Sequence, residues 1–482
     1  MDTSSPIPTL IARIADLEAL VSSQAAEIAR LIPLLTQKDA EIARLTALVT
    51  QNHADQDALQ NSPRSDKNSR NSSVPPSLSY PENRNPTQNP KKKGPRLGHP
   101  GTSRKRLPPT RTLTSRPTHC AGCGADLGDV LGHVYRSSQH LELPPVALEV
   151  IEAVRYRCSC PTCGAVNTGP YPDGWDPNQW FGPRLQATLA YLHHHHHIAY
   201  ERLVTLVREI WGGSISEGGL ANVLARVQAK LAPTVEAIAK RVRESTVVGS
   251  DETRARVDGQ TRWSWVVQSQ SAVYHFVATT RSAKELIDFF GESVPEVQES
   301  DCYSGQLASP VGIKQVCQAH QLRDLQYAIE HGDEEYAKRM QRLIRMAIHL
   351  SRRREELRPE LYGHQAGRLM RVGDRIGFGK LTTNPFGEGL QKRYRRLREH
   401  WWVFLERADV SATNNRSEQA LRPEVVHRKV LGGFRSEWGA EAYAGFLSVV
   451  QTLSREGSEL LPSLLEMLAP HGRSLLSEAS YA

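Results

Sequence analysis

The sequence contains no apolar run that approaches the roughly 18–20 residues needed to span a membrane. Its first ten residues, MDTSSPIPTL, include an acid and lack the basic and then apolar order of a secretory signal. We therefore expect a cytoplasmic protein without a membrane partner. The length of 482 residues exceeds that of one typical domain, and predicts about three.

Cysteine is scarce, and five of the seven cysteines lie between positions 120 and 163. This clustering argues against a disulfide framework and favours a metal site in a reducing compartment. The segments CAGCG and CPTCG each place two cysteines three positions apart before a glycine. Two such knuckles are typical of a structural zinc site, which we predict within a module over residues 116–170. The predicted ligands are Cys120, Cys123, Cys160 and Cys163, with Cys158 as an alternative to Cys160.

Acids and apolar residues are also scarce in the linker over residues 52–115. Residues 64–111 carry twelve Lys or Arg against two acids, a local net charge of 12 − 2 = +10. This local charge exceeds the net charge of +8 of the whole chain. A basic segment rich in Pro, Asn and Ser cannot bury a core, so we predict a disordered tether. Counterion release favours polyanion binding, with a solvated linker as the alternative. The residues of this segment predicted to bind DNA are Lys91, Lys92, Lys93, Arg104, Lys105 and Arg106.

The N-terminal residues 7–51 follow a heptad pattern. Apolar residues alternate at spacings of four and three, and the hexapeptide AEIARL recurs after fourteen residues. This predicts a coiled coil in which polar Gln24 and Lys38 occupy core positions and set the register. Pro33 should kink or interrupt the helix. We expect a homo-oligomer, at least a dimer, with an intramolecular helical hairpin as the alternative.

Residues 178–244 have a helical pattern. The segment YERLVTLVREIWGGSISEGGLANVLARVQAKL predicts a helix, a Gly-Gly turn and a Ser-capped helix. A DNA-binding helix-turn-helix and an ordinary helical pair both fit this pattern. The five consecutive histidines, His193–His197, are interpreted as fortuitous or surface-lying rather than as a metal site.

Residues 245–455 change to an α/β pattern. Three strands are predicted first, with Asp258 and Gly259 at a hairpin turn, followed by a helix that ends at Gly291. Two more strands precede a long helical stretch to about residue 408. The order β-β-β-α-β-β followed by helices predicts an α/β sheet domain with antiparallel strands leading. Residues 456–482 are assigned to a C-terminal tail.

Three carboxylates occupy special places on this predicted structure. Asp251 and Asp301 each follow a predicted strand, and Glu418 opens a helix. Such an arrangement can bind two divalent metals, and hard oxygen ligands suit Mg²⁺ or Mn²⁺. Glu252 is the alternative ligand to Asp251, and Asp301 could instead be an Asx-turn residue.

The local sequence SATNNRSEQALRP gives Glu418 two simpler roles. Asn415 and Glu418 have the spacing of a capping box, and Arg422 lies at i+4 for an ion pair. Pro423 discourages a longer regular helix. Beyond Glu418, the basic side chains predicted to hold DNA are Arg422, Arg428 and Lys429, and solvation at the surface is their alternative role.

Several segments in order along the chain resemble the transposases of the insertion-sequence 66 family. They are the zipper-like N-terminal helix, NSSVPPS, LGHPG, the two cysteine knuckles, DETRARVDGQTRWSWV, SDCYSG, CQAHQLRDL, NNRSEQALRP and RKVLGGFRSEWGAEAYAGFLSVVQT. The family's Cys-aromatic-Ala-His motif appears here as CQAH at 317–320, with Gln318 in place of the aromatic residue. His320 could contact the reacting DNA or serve as a core histidine.

The resemblance implies a ribonuclease H-like core with an Asp-Asp-Glu triad, which falls on Asp251, Asp301 and Glu418. It also implies a helical insertion over about 321–410. The predicted chain is thus a multidomain α/β protein: a coiled-coil helix, a small zinc-binding module, a helical DNA-binding region and a ribonuclease H-like catalytic core with a large helical insertion.

The implied activity is DNA transposition in the cytoplasm, associated with the nucleoid. Two catalytic Mg²⁺ or Mn²⁺ ions and one structural Zn²⁺ are the implied cofactors. DNA at element ends and in the target, and accessory proteins of the same element, are the implied partners. Two other functions remain open: a non-catalytic DNA-binding regulator, and a structure-selective nuclease with the same core.

Overall fold

The computed structural model describes residues 105–469, except 145 and 174, together with scattered positions between 18 and 38. These scattered positions are helical and exposed, and they include Val21, Leu31 and Pro33. No helix in the described part is long and apolar enough to cross a bilayer. Outside the described residues lie most of the predicted coiled coil at 7–51, most of the linker at 52–115 with Lys91, Lys92, Lys93 and Arg104, and residues 470–482.

The cysteine-containing segment has little regular structure. Two short strands, β1 (Arg157–Ser159) and β2 (Val166–Thr168), pair antiparallel. The run VALEVIEAVRYRC has the composition of a strand, yet among its described residues none before Arg157 is a strand residue. A strand needs a partner for its backbone groups, and here Val150 and Val154 stay exposed.

The predicted helical region is present. It consists of α1 (Pro183–Ala190), a π-helical turn (Tyr191–His195), α2 (Tyr200–Trp211) and α3 (Glu217–Arg243). The left-handed Gly212, with φ of 68°, ends α2. The Ser216 hydroxyl accepts a hydrogen bond from the N–H of Gly219 at 3.0 Å and so caps α3. The predicted helix, Gly-Gly turn and Ser-capped helix are therefore confirmed.

A five-stranded sheet follows. Its strands are β3 (Val247–Val257), β4 (Gln260–Gln268), β5 (Val273–Ala278), β6 (Val297–Ser300) and β7 (Ile313–Val316), in the order β5-β4-β3-β6-β7. Strands β3, β4 and β5 form an antiparallel meander, whereas β6 and β7 run parallel to β3. Asp258 and Gly259 have φ of 47° and 71°, which confirms the hairpin turn. The predicted helix before β6 is α4 (Ala283–Phe290).

Helices complete the described chain. They are α5 (Ser304–Leu307), α6 (Gln318–Glu330), α7 (Ala337–Arg352), α8 (Pro359–Gly377), α9 (Pro385–Arg396), α10 (Val403–Glu406), α11 (Asn415–Leu431), α12 (Glu437–Arg455) and α13 (Leu460–Leu468). Helices α6 to α10 share one hydrophobic cluster with Val297 of β6 and Val316 of β7, and this cluster includes Tyr394, Trp401 and Trp402. Helix α13 lies in the predicted tail, yet its Leu464 and Leu468 are buried.

Helix α3 and the sheet share one hydrophobic core. Leu220 and Val227 of α3 belong to the same buried cluster as Trp265 and Val267 of β4. The expected boundary near residue 244 therefore does not coincide with a break in the core.

Helix α12 covers the β5 edge of the sheet. The Ser448 hydroxyl accepts a hydrogen bond from the N–H of His275 at 2.8 Å, and the Thr452 hydroxyl accepts one from the N–H of Val273 at 3.0 Å. These side chains occupy strand N–H groups that another chain could otherwise pair with.

The histidine run is partly buried, so the surface-lying interpretation is wrong for His194 and His197. The His194 ring lies 4.9 Å from that of Phe446, and the His197 ring lies 5.8 Å from that of His427. Burial, reinforced by neighbouring histidines, lowers the pKa of His194 well below its usual value and that of His427 to about 3. These imidazoles are neutral in the folded protein at neutral pH.

We predict that the buried histidines make stability fall in mild acid. Below about pH 6.5 the unfolded chain binds protons that the folded chain excludes, so the free energy of unfolding decreases as pH drops from about 7.5 to about 5.5. The loss should be roughly 1 kcal/mol per histidine per pH unit below 6.5. Urea denaturation at both pH values measures it. His427→Phe should reduce the pH dependence, whereas exposed His364→Gln on α8 should not. An unchanged dependence in His427→Phe contradicts the prediction.

Candidate active site

Strand register places two of the predicted carboxylates side by side. In the parallel pair of β3 and β6, Gly249 lies opposite Glu299. Asp251 and Asp301 each follow two residues later, so they continue the same register at the end of the pairing. Because side chains alternate along a strand, Asp251 projects to the face on which a side chain at Gly249 would lie, and Asp301 directly follows the last residue of β6.

Helix α11 packs on this same face at Gly249. A Cβ atom added to Gly249 would lie 2.8 Å from Ser417 Oγ and 3.0 Å from Asn414 Oδ1. Asn414 Nδ2 donates to the carbonyl of Ser250 at 2.7 Å, and Gln268 Nε2 donates to Ser417 Oγ at 2.7 Å. The first turn of α11, and with it Glu418, is therefore held directly over β3 beside Asp251.

The three carboxylates interact electrostatically. Burial raises the pKa of Asp251 well above its usual value, and the negative charges of Glu252, Asp301 and Glu418 raise it further. Glu418 thus lies near enough to Asp251 to raise its pKa, although 167 positions separate the two residues in the sequence. The ligand oxygens of Asp251, Asp301 and Glu418, all described in the structure, are not all within 4.8 Å of one another. Concentrated negative charge of this kind favours binding of a divalent cation through oxygen ligands.

Glu418 is not the partner in a capping box, so that alternative is wrong. The N-cap is Asn414, and Asn415 is already the first helical residue. Glu418 Oε1 instead accepts a hydrogen bond from Arg323 Nη2 at 3.1 Å and lies 3.5 Å from His320 Nε2. Both partners lie on α6, and neither is the Arg422 that the i+4 spacing suggested.

Pro423 does not end the helix as expected. Helix α11 continues through it to Leu431, because its inner face is buried along the sheet. Val266, which lies opposite Asp251 on β4, packs in one cluster with Ala420 and Leu421. This packing outweighs the backbone hydrogen bond that proline removes.

Glu252 projects to the opposite face of β3 from Asp251. Arg281 Nε donates to its Oε1 at 2.5 Å, and Gln306 Nε2 donates to its Oε2. Burial raises the pKa of Glu252 against these hydrogen bonds. Its carboxylate is therefore already satisfied within the protein, which disfavours it as the alternative ligand.

Asp301 combines the two roles considered from the sequence. Its Oδ1 accepts a hydrogen bond from the N–H of Tyr303 at 2.8 Å, which is an Asx turn. It also lies close enough to Asp251 to raise the pKa of that residue. The turn fixes the carboxylate and leaves its second oxygen for a ligand.

The CQAH segment joins β7 to α6. Gln318 is buried; its N–H donates to the carbonyl of Ala412 at 2.9 Å, and its Nε2 donates to the carbonyl of Trp401 at 2.7 Å. The side-chain amide of Gln318 therefore ties the start of α6 to the backbone at Trp401. Sequence reasoning missed Arg323, although it lies three positions after His320 and hence on the same helical face.

The basic residues predicted to hold DNA differ in their surroundings. Lys105, Arg422 and Lys429 are exposed. Arg106 donates to the carbonyl and the hydroxyl of Ser137 at 3.3 and 2.9 Å. Arg428 donates to the carbonyl of Arg254 on β3.

The two cysteine knuckles have the same geometry. In each, the carbonyl of the first cysteine accepts a hydrogen bond from the N–H of the glycine at the end of the knuckle. Gly124 donates to Cys120 and Gly164 donates to Cys160, both at 2.9 Å. These glycines have φ of 74° and 72°, a conformation that favours glycine. Each knuckle therefore has the tight turn that a zinc thiolate pair uses.

Backbone groups also favour the thiolate form in each knuckle. The N–H groups of Cys163 and Thr162 lower the pKa of Cys160 to about 7, and those of Cys123 and Gly122 lower the pKa of Cys120. This chemistry fits zinc. Within the described residues, the knuckles do not bring three of these thiols within 4.8 Å of one another.

Two family models match the chain. The one described as "Transposase IS66 family" matches residues 178–442, more than half of the chain, and "zinc-finger binding domain of transposase IS66" matches residues 117–164. The chain belongs to the IS66 family of transposases. The larger match begins before α1, so the family region of this transposase includes α1 to α3 together with the sheet. The smaller match spans both knuckles, and it supports a structural zinc in this segment.

A curated relative is also similar to this IS66-family chain. "Uncharacterized protein y4hP" of Sinorhizobium fredii (strain NBRC 101917 / NGR234) is 24% identical over 389 residues, which cover 71% of this chain and 68% of the relative. The similarity therefore extends over most of both proteins.

The contact at Gly249 predicts a measurable coupling. Gly249→Ala should lower the free energy of unfolding by about 1–3 kcal/mol, because the new methyl group overlaps Ser417 and Asn414. The loss should shrink in a Ser417→Ala background, and a double-mutant cycle in urea measures the difference. Gly363→Ala on α8, where an added Cβ meets nothing within 4 Å, is the matched control. Equal losses in both backgrounds would refute the contact.

The knuckle geometry predicts which cysteines bind zinc. Cys160→Ser should lower the zinc content of the purified protein by up to one ion per chain relative to wild type, because it removes a ligand of the knuckle site. Cys158→Ser should retain the wild-type content, because Cys158 lies on β1 outside the knuckle turn. Elemental analysis after dialysis measures both. The reverse result would make Cys158 the ligand.

Proposed function

We propose that this protein is a DNA transposase with a ribonuclease H-like core that uses Asp251, Asp301 and Glu418. The observation that supports the proposal is the placement of these acids on β3, directly after β6 and in the first turn of α11, where the charges of Asp301 and Glu418 both raise the pKa of Asp251. The strand order β5-β4-β3-β6-β7, with an antiparallel meander and two parallel strands, supports that core. Membership in the IS66 family supports DNA as the substrate.

The three carboxylates would hold divalent Mg²⁺ or Mn²⁺ ions. When bound, two such ions activate an attacking oxygen and stabilise the leaving oxygen of a phosphodiester. Asp251 and Asp301 supply ligands from the rigid sheet, and Glu418 supplies its ligand from the first turn of α11. The packing of α11 on Gly249 keeps these ligands in place before DNA binds.

The reaction has two phosphoryl transfers. In the first, water attacks the phosphodiester at the element boundary, a new P–O bond forms, and the element strand leaves with a 3′-OH. In the second, this 3′-OH attacks a target phosphodiester, and the target strand leaves with its own 3′-OH. Asp251, Asp301 and Glu418 position both reactions without a covalent bond between protein and DNA.

The remaining parts of the chain are assigned to DNA and partner binding. The zinc module, the basic linker and α1 to α3 would contact element ends, and Arg422, Arg428 and Lys429 would contact phosphates beside the carboxylates. Self-association through residues 7–51 would bring two ends together. Accessory proteins of the same element are further proposed partners.

An end-joining assay tests the catalytic assignment. Asp251→Asn, Asp301→Asn and Glu418→Gln should each reduce joining of labelled element ends to a target plasmid in Mg²⁺ by more than about 100-fold. Mutation of a residue that only hydrogen-bonds to a metal ligand typically lowers metal affinity or activity about 10–100-fold. Loss of a ligand itself should therefore lower the activity by more than this. End binding, measured by gel shift, should persist. Asp288→Asn on α4, whose carboxylate pairs with Lys284 at the surface, is the control.

The same assay separates the alternatives. A non-catalytic regulator predicts end binding with no joining, and no effect of Asp251→Asn. A structure-selective nuclease predicts metal-dependent cleavage without end specificity and without strand joining.

A further inference from the structure

A second group of metal-binding side chains adjoins the three carboxylates. Cys317 Sγ, a ring nitrogen of His320 and a carboxylate oxygen of Glu418 all lie within 4.8 Å of one another. We propose that these residues form a Zn²⁺ site, distinct from the knuckles, and that zinc there inhibits the enzyme by taking Glu418 from the magnesium site. The inhibition rests on the proposed function, whereas the zinc site does not.

The backbone brings the three side chains together. Cys317 is the N-cap of α6 and His320 lies in the first turn of that helix. The N–H of Asn414 donates to Cys317 Sγ at 3.2 Å, so the start of α11 lies against the thiol. Glu418 follows in the first turn of α11 and faces α6. Two helix starts therefore supply the site, and both are anchored to the sheet.

The histidine has unused capacity to bind a ligand. His320 Nδ1 is buried and has no hydrogen-bond partner, while Nε2 lies 3.5 Å from Glu418 Oε1. A buried polar atom without a partner costs about 1–3 kcal/mol, and a bound ion is one of the ways in which such an atom is satisfied. The side chains of His320 and Glu418 are 19% and 31% exposed, which leaves one side of the group open to solvent.

The donor types select the metal. Sulfur, imidazole nitrogen and one carboxylate oxygen suit Zn²⁺, whereas Mg²⁺ prefers oxygen alone. Tetrahedral zinc with bonds of 2.0–2.3 Å places its donor atoms roughly 3.3–3.7 Å apart. Atoms within 4.8 Å reach that spacing through small side-chain rotations. The fourth position would hold water.

Two features of the site must change when zinc binds: the protonation of Cys317 and the ion pair between Arg323 and Glu418. The Cys317 thiol loses its proton to solvent as the sulfur–zinc bond forms. Arg323, which donates to Glu418 Oε1 at 3.1 Å, must yield that oxygen or share the carboxylate. Glu418 cannot serve both metals with the same oxygen, so occupancy of this site opposes assembly of the magnesium site.

Zinc stoichiometry tests the site without any activity measurement. Full-length protein is equilibrated by dialysis with free Zn²⁺, and bound zinc per chain is counted. Wild type should bind one more zinc than either Cys317→Ser or His320→Gln. The control is Cys302→Ser, which removes a nearby half-buried thiol outside the group and should keep the wild-type count. If either variant is folded by circular dichroism and binds as much zinc as wild type, the site is refuted.

Inhibition is tested in the joining assay at fixed Mg²⁺. The zinc concentration for half inhibition, relative to the zinc-free rate of each protein, should be at least about tenfold higher for Cys317→Ser than for wild type. If wild type binds the extra zinc but the half-inhibiting zinc concentrations of wild type and Cys317→Ser are equal, the inhibitory role is refuted. If wild type binds the extra zinc but joins no DNA under any condition, the zinc site stands and the proposed transposase activity is refuted.

Discussion

The contact between the start of α11 and strand β3 is the interaction on which the candidate site depends. Ser417 donates to Asn414 Oδ1 at 2.6 Å and accepts from Gln268, while Asn414 donates to the carbonyl of Ser250. All three side chains are buried, and Gly249 leaves the space that they occupy. A fully satisfied buried network of this kind specifies one arrangement. It therefore fixes the position of Glu418 relative to Asp251.

The same constraint explains how the chain tolerates 117 positions between Asp301 and Glu418. Helices α6 to α10 pack in one core with β6 and β7, and buried glutamines join the two ends of this segment. The side chain of Gln318 donates to the carbonyl of Trp401, and its backbone N–H donates to the carbonyl of Ala412. Gln315 Oε1 accepts a hydrogen bond from the N–H of Phe404 at 2.9 Å. The segment therefore leaves and rejoins the sheet at one place. Its length adds little cost, because closure entropy grows only slowly with length.

Local patterns predicted the elements of this fold better than their surroundings. The Asp258-Gly259 turn and the Gly-Gly turn before Ser216 marked the ends of strands and helices, and predicted strand ends pointed to Asp251 and Asp301. The capping box at Asn415, the helix end at Pro423 and exposure of His194 were wrong, because each is decided by burial against a distant element. Arg323 was missed for the same reason: its partner Glu418 is 95 positions away. The coiled coil at 7–51 remains a prediction.

The distribution of countercharge separates the roles of the acids. Glu252 is paired with Arg281, and Glu418 with Arg323. In the described part of the chain, no Lys or Arg forms an ion pair with Asp251 or Asp301. A buried carboxylate beside like charges is stabilised only by a proton or by a cation from outside the protein. The buried carboxylate of Asp251 therefore favours a bound cation, whereas the charge of Glu418 is already balanced by the guanidinium of Arg323.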